Sequence, residues 1–238
     1  NPYSVVKPPF QSREFGGNFS GPMNRHGSFF FDFERVETDQ EALVNATIVD
    51  SAFHIASLNE TLAAPRRRTV LGPRLDYQLT PNHTLTLRYI FLKADVENAG
   101  VGRFSLPSHR YNSTENEHTL QATETGVIGP RVVNETRFQY IHNRIGLDGD
   151  GSLPVISVLD SFTGGTETGR SLDERSNYEL HNYTTILAGA HKIRFGGRLR
   201  AGLLTNSSNR NFAGTFVFSG GPEPQLDANN RPLRDAAG

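Results

Sequence analysis

Eight histidines, an Asp-Gly-Asp-Gly-Ser run and an arginine triplet are the residues here whose types could do chemistry. None is spaced for it. His26, His54, His83, His109, His118, His142, His181 and His191 form no HExxH or other metal-ligand spacing. His26, His83 and His191 fall in short turns, where an exposed ring is the plain reading. Asp148-Gly149-Asp150-Gly151-Ser152 opens like a calcium loop but lacks the later ligands and the closing Glu. It reads as a surface loop. No Gly-x-Ser-x-Gly occurs, so there is no nucleophile elbow. Ser161-Phe162-Thr163-Gly164-Gly165 has no Lys to make a phosphate cradle. The absence of cysteine excludes disulfides, thiolate metal sites and cysteine nucleophiles. No carboxylate pair stands out for glycoside hydrolysis. The chain therefore reads as a non-enzyme with no cofactor, no metal and no nameable ligand-binding residue. Arg66-Arg67-Arg68 precedes a strand and could meet a lipid phosphate; otherwise it is a solvated loop end.

The elements that would position these residues are strands. With 16 Phe, 7 Tyr, 23 Gly and 13 Pro in 238 residues, composition favours strands and turns. The one helical candidate, Asp39 to Ala56, is interrupted by β-branched residues. Alternation is plain elsewhere. Phe29, Phe31 and Phe33 share a face, as do Leu75, Tyr77 and Leu79, then Leu85, Leu87, Tyr89 and Phe91. Phe138 and Tyr140 follow, then Ile193, Phe195 and Leu199. A period of two puts each set on one side of a sheet. The opposite side carries Arg74, Asp76, Arg88, Arg137, Lys192, Arg194 and Arg198.

The connections carry more information than the strands. Four are short: Met23 to Gly27, Thr80 to His83, Ile128 to Arg131 and Ala188 to His191. The connections between them are long: Thr38 to Arg66, Asp95 to Glu115 and Gly146 to Glu174. In an up-and-down meander, successive connections lie at opposite ends. One end therefore carries tight turns and the other long loops, which is the asymmetry of an outer-membrane barrel. Strands of roughly 9 to 13 residues suit a tilted crossing of about 9–11. In a barrel the charged set lines the lumen. Leu75, Tyr77, Leu87, Tyr89, Phe138, Tyr140, Ile193 and Phe195 face lipid, and Tyr89, Phe91 and Tyr140 suit an interfacial girdle. In a secreted sandwich, the faces of Leu75, Leu87, Phe138 and Phe195 pack on each other instead. Net charge is −1, so nothing marks a nucleic-acid partner. No run of about 18 apolar residues is present, so no helix of this sequence crosses a membrane.

Eight Asn-x-Ser/Thr sequons, at Asn18, Asn45, Asn59, Asn82, Asn112, Asn134, Asn182 and Asn206, would be glycan acceptors in a secreted protein. Several fall inside predicted strands or short turns. They read as products of Asn-rich turns before Thr-rich strands.

Five segments in order resemble the barrel of TonB-dependent outer-membrane receptors, most closely the Oar-like group. They are Arg13-Glu14-Phe15-Gly16-Gly17-Asn18-Phe19-Ser20-Gly21-Pro22 with Phe29-Phe30-Phe31-Asp32-Phe33-Glu34; Pro73-Arg74-Leu75-Asp76-Tyr77-Gln78-Leu79; Asn182-Tyr183-Thr184-Thr185; His191-Lys192-Ile193-Arg194-Phe195-Gly196-Gly197; and Asn211-Phe212-Ala213-Gly214-Thr215-Phe216-Val217-Phe218. The resemblance covers most of residues 10 to 220. It implies a large plugged barrel that imports a bulky nutrient, energised by a TonB–ExbB–ExbD complex. No plug, TonB box or closing aromatic strand is recognisable, so the chain reads as an early barrel fragment.

The expected fold is all-β: an antiparallel up-and-down meander forming part of a transmembrane barrel wall. A linker is expected over 1–12, the partial barrel over 13–218, and a loop or tail over 219–238. The expected partners are outer-membrane lipid, the TonB system through missing parts of the chain, and a small-molecule, glycan or peptide substrate. Capture falls to the segments Asp95–Glu115 and Gly146–Glu174. The alternative is a secreted all-β binding or adhesion module. A small closed eight-stranded barrel is a variant of the first reading.

Overall fold

The computed structural model describes residues 9–52 and 54–220. The expected tail from 221 onward and most of the expected linker lie outside the described residues. Thirteen strands form: β1 (Phe10–Pro22), β2 (Gly27–Val49), β3 (Ile55–Ala63), β4 (Arg66–Leu71), β5 (Arg74–Thr80), β6 (His83–Ala99), β7 (Tyr111–Val127), β8 (Val132–Gly149), β9 (Val155–Val158), β10 (Phe162–Gly164), β11 (Thr168–Ala188), β12 (His191–Arg210) and β13 (Thr215–Phe218). Among the described residues the one helical element is a short 3-10 turn, Pro107–His109.

The main sheet is antiparallel and runs in the order β1-β2-β4-β6-β7-β8-β11-β12. β4 and β5 form one crossing, broken at Gly72 and Pro73. Proline has no N–H to donate to a ladder. Pairing resumes at once: Tyr89 N–H donates to the Pro73 carbonyl at 2.9 Å, and Gly72 N–H to Asp32 at 2.9 Å. Eight crossings therefore lie side by side. Among the described residues β1 and β12 each pair on one side only, so the small closed barrel does not form.

The four predicted turns close β1–β2, β5–β6, β7–β8 and β11–β12 at a common end. They are staggered. β8 pairs with β7 down to Val127↔Val133, beyond the last β6–β7 pair, His83↔Gly126. β11 reaches Ala188↔His191, beyond its last pair with β8, Ile186↔Val132. This progressive offset is the shear that tilted barrel strands require.

At the other end the structure corrects the sequence reading. The wall strands are longer than expected, up to 23 residues in β2. The helical candidate, Asp39 to Ala56, is not helix: Asp39 to Val49 is strand and pairs with β3, which starts at Ile55, from Glu41 outward. Asp95 to Ala99 and Tyr111 to Glu115 belong to β6 and β7, so that connection shrinks to Gly100 to Arg110. Likewise Gly146 to Gly149 and Thr168 to Glu174 are strand. Polar alternating sequence beyond the membrane carries no apolar face, so its strands look like loop. Asn211 to Phe218 is also not a wall strand. Thr215–Phe218 pairs parallel to β9 in a small second sheet, β10-β9-β13.

Register places whole rows on one face. Leu87 pairs with Ala122, Ala122 with Phe138, Phe138 with Leu180 and Leu180 with Leu199. On the other face Arg88 pairs with Gln121, Gln121 with Gln139, Gln139 with Glu179 and Glu179 with Arg200. Every residue the sequence assigned to lipid falls on the first face, and every charged one on the second. Among the described residues no second layer covers the apolar side: Phe195 is 56% exposed, Leu199 71% and Phe19 68%. A sandwich would bury these residues, so the secreted-module alternative does not describe this fold. The polar side lines a lumen and the apolar side faces hydrocarbon.

Two adjacent glycines show how local sequence serves the wall. A Cβ on Gly196 would collide with the Asn182 carbonyl and lie 2.6 Å from the Tyr183 ring, whereas Gly197 has open space. The ring of Tyr183 covers Gly196, and Arg194 sits 4.7 Å above the ring centroid. Gly196→Val is therefore expected to destabilise the β11–β12 hairpin and Gly197→Ala to be tolerated, as read by heat-modifiable mobility of the folded barrel. Phe138 and Gln139 give a test of facing. Phe138→Arg, on the lipid side, should cost about 2–4 kcal/mol near mid-bilayer, with Gln139→Arg close to neutral. Equal effects in a refolding titration would contradict the assignment of faces.

Candidate functional site

The lumenal wall carries a paired charge network. Glu179 accepts from Arg198 at 2.6 Å and Arg200 at 2.5 Å, and pairs with His181. Arg137 and Glu135 form an ion pair at 3.1 Å, and Arg74 meets Asp76 at 2.9 Å. A groove of about 210 Å³ runs along Gln121, Thr123, Arg137, Gln139, Glu179 and His181. The alternation legible in the sequence puts these groups on one face. Their cross-strand pairing needs the register, which sequence does not print.

On the outward face the apolar span ends at an abrupt boundary. Across β6 to β11 it ends in rings. The Tyr89 hydroxyl lies 2.6 Å from His118 Nδ1, and Tyr140 stacks on Tyr178 at 4.8 Å between centroids. This is the interfacial girdle expected of Tyr89, Phe91 and Tyr140, with His118 and His142 added. Nothing in their spacing marked these histidines as girdle members. Across β1 to β6 the span ends in charge. Arg13 meets Asp39 at 2.5 Å, Arg35 meets Glu37 at 2.8 Å, and Lys93 meets Asp95 at 3.5 Å. Arg67 also binds Asp39. The Arg35 hydrogen bond holds the Glu37 carboxyl below the usual carboxylate range, and the Arg67 bond does the same for Asp39. The arginine triplet does not act as a unit. Arg66 and Arg68 lie on the lumenal face, where Arg68 binds Glu34, and only Arg67 faces outward.

The long-loop end is built into a cap. Arg103 donates to Leu43 and accepts from Asn45, both at 2.7 Å, so the 100–106 segment adds to the edge of β2. Thr163 N–H donates to Phe104 and Leu106 N–H to Thr163, at 2.8 and 2.9 Å, which ties on the small sheet. Val44 and Ala46, both on the lumenal face of β2, are buried beneath this cap, and Val155 is buried within it. The cap therefore folds over the lumenal side of the wall. Arg103 needs a positive φ of 55° to make both bonds, an uncommon conformation for a residue with a Cβ.

A cavity of about 500 Å³ opens beside the cap, lined by Asn98, Arg110, Tyr111, Asp148, Asp150 and Leu153 among others. All of its lining residues come from Asp95–Glu115 and Gly146–Glu174, the two segments the sequence marked for capture. Asp150 accepts from the Ser152 hydroxyl and N–H at 2.5 and 3.1 Å, which keeps its carboxyl below the ordinary range. The calcium-like run is thus a self-bonded turn. Among the described residues no three His, Asp or Glu side chains converge on a possible metal position.

The comparisons agree with this geometry. A family model described as "Outer membrane beta barrel domain" matches residues 55–236. No curated protein matches the chain. Among solved structures the chain is similar to the outer membrane transporter YddB from Escherichia coli. The TM-score is 0.64 at 10% identity, covering 94% of this chain and 28% of that one. The chain thus spans under a third of that protein's length, and at this identity the likeness is one of fold. A wall with one lipid face, one polar face and staggered turns is what the family description requires: the chain belongs to the outer membrane β-barrel domain family, and its place is the bacterial outer membrane.

Proposed function

We propose that this wall is part of a TonB-dependent transporter that imports a bulky nutrient across the outer membrane. The observation that carries the reading is the open eight-crossing sheet. In hydrocarbon, backbone N–H and C=O groups have no water to pair with, so a wall must close on itself. β1 and β12 do not meet, and closing the circle takes further strands. A barrel much wider than eight strands encloses a large lumen. The five ordered segments that resemble TonB-dependent receptors support the same reading, as does the fold shared with an outer membrane transporter. A lumen this wide would leak unless occluded, and an occluded lumen needs energy to open. The cap and its cavity, poised over the lumenal side, supply the capture surface. The cavity mixes Arg110, two carboxylates, Asn98 and the Tyr111 ring, which suits a polar solute with both charge and a hydrophobic edge. The chain itself carries no catalytic step in this reading.

Two measurements test it. In planar bilayers the native protein should conduct negligibly, because a plug fills it; a steady open-pore current would mark a porin instead. In cells, a panel of iron-siderophore complexes, cobalamin, oligosaccharides and peptides should include a solute accumulated only when both this gene and the TonB system are intact. Accumulation that survives loss of TonB would overturn the energised mechanism. Arg110→Ala with Asp148→Ala should weaken uptake at low solute concentration more than at saturation.

A further inference from the structure

We propose that the outward-facing cations Arg13, Arg35 and Lys93, with Arg67 beside them, form a seat for the phosphorylated headgroup of an outer-leaflet glycolipid. The inference rests on the outer-membrane location and not on the transport reading.

The argument begins with position. Arg35 lies eight residues past Gly27, where β2 leaves its turn (35 − 27). Lys93 lies ten past His83 at the start of β6 (93 − 83), and Arg13 lies nine before Pro22 at the end of β1 (22 − 13). A tilted strand crosses hydrocarbon in about 9–11 residues. Each cation therefore stands where its strand leaves the apolar layer. The tight turns lie on the periplasmic side of such barrels, so this is the outer leaflet.

Facing follows from register. Arg35 pairs with Thr69 and Thr69 with Lys93, while Arg13 pairs with Glu37 on the same face. That face is the one carrying Phe15, Phe33, Leu71 and Phe91 just below. A charge here meets lipid headgroups, not the lumen. On the neighbouring strands β7 and β8 the corresponding depth is held by the rings of His118 and His142, with Tyr140 beneath. Replacing rings by cations makes one sector selective for anionic headgroups.

The acids in this sector do not cancel the seat. Glu37 stands level with Arg13 and Arg67, Asp95 stands level with Arg67, and Asp39 lies farther out, so Arg35 and Lys93 are the charged groups nearest the hydrocarbon. Phosphates buried closest to the acyl chains meet Arg35 and Lys93 first, with Arg13 and Arg67 one step above. Arg35 and Lys93 remain about half exposed at 42% and 48%, and Arg13 at 43%, so each is open to a headgroup beside its carboxylate partner. A guanidinium offers a planar fork to a phosphate, and a Lys ammonium a point charge.

The test uses the native protein folded in an uncharged detergent. Purified lipopolysaccharide should raise its unfolding midpoint, because a ligand that binds only the folded state stabilises it. Dephosphorylated lipopolysaccharide should raise it far less. The variant carrying Arg13→Gln, Arg35→Gln and Lys93→Gln should lose most of the rise. A lumenal variant that also loses three charges, Arg88→Gln with Arg137→Gln and Arg198→Gln, should keep it. The proposal fails if lipid gives the wild type no rise, if dephosphorylated lipid serves equally, or if the outward variant keeps the full effect. Heat-modifiable mobility reports whether each variant is folded. Should the outward variant not fold, the comparison of the two lipids on the wild type still decides.

Discussion

Hydrocarbon offers no hydrogen bonds, and that single constraint governs this molecule. Each peptide group inside the bilayer must find its partner on a neighbouring strand. The result is a continuous ladder from β1 to β12, with even the Pro73 break bridged by the Tyr89 N–H. Once the ladder is fixed, the pleat does the rest. Successive side chains point to opposite solvents, so one strand can carry Leu87 toward lipid and Arg88 toward water. The buried core usual in a soluble domain is unnecessary here. The few buried apolar side chains, Val44, Ala46, Ala64 and Val155, gather at the capped end where the strands have left the membrane.

The charged groups divide by the same rule into three environments. Those on the lumenal face neutralise one another across strands, as Glu179 does with Arg198 and Arg200. Those on the outward face appear only where the apolar span has ended, as Arg35 and Lys93 do. Those of the cap bind backbone or turn, as Asp150 does. No charged side chain on the outward face interrupts the middle of the apolar span on β2 or β6.

Much of this was legible in the sequence because it rests on local rules. Alternation assigned Arg74, Arg137 and Arg198 to one solvent and Leu75, Phe138 and Phe195 to the other, and the register agrees in every case. The turns at Thr80–His83 and Ala188–His191 were readable from Pro, Asn and Gly. What failed had no local signal. Residues 39 to 49 carry a short apolar face, Ala42, Val44, Ala46 and Ile48, that the cap covers on the lumenal side, and with Leu43 on the other side the stretch was open to a helical reading. Phe216 and Phe218 alternate like wall residues, yet their partner is β9, which no periodicity reveals. His118 became a girdle residue through Phe91 on the adjoining strand, and His142 through Tyr140 beside it and His118 across the ladder.

The order of the wall has a consequence for how the chain is built. Each crossing pairs with the crossing just before or after it in sequence, and four of the seven connections are tight turns. Contacts of this kind have short loops to close, so hairpins can be added one after another as the chain is delivered. The cap obeys no such order. Val44 meets Arg103, Ser105 meets Thr163, and β13 must return to β9. Its parts are separated by more than fifty residues and by two completed crossings (103 − 44 = 59; 163 − 105 = 58; 215 − 155 = 60). The wall is thus the early product of assembly and the capped mouth the late one, formed on the cell surface after the strands beneath it are in place.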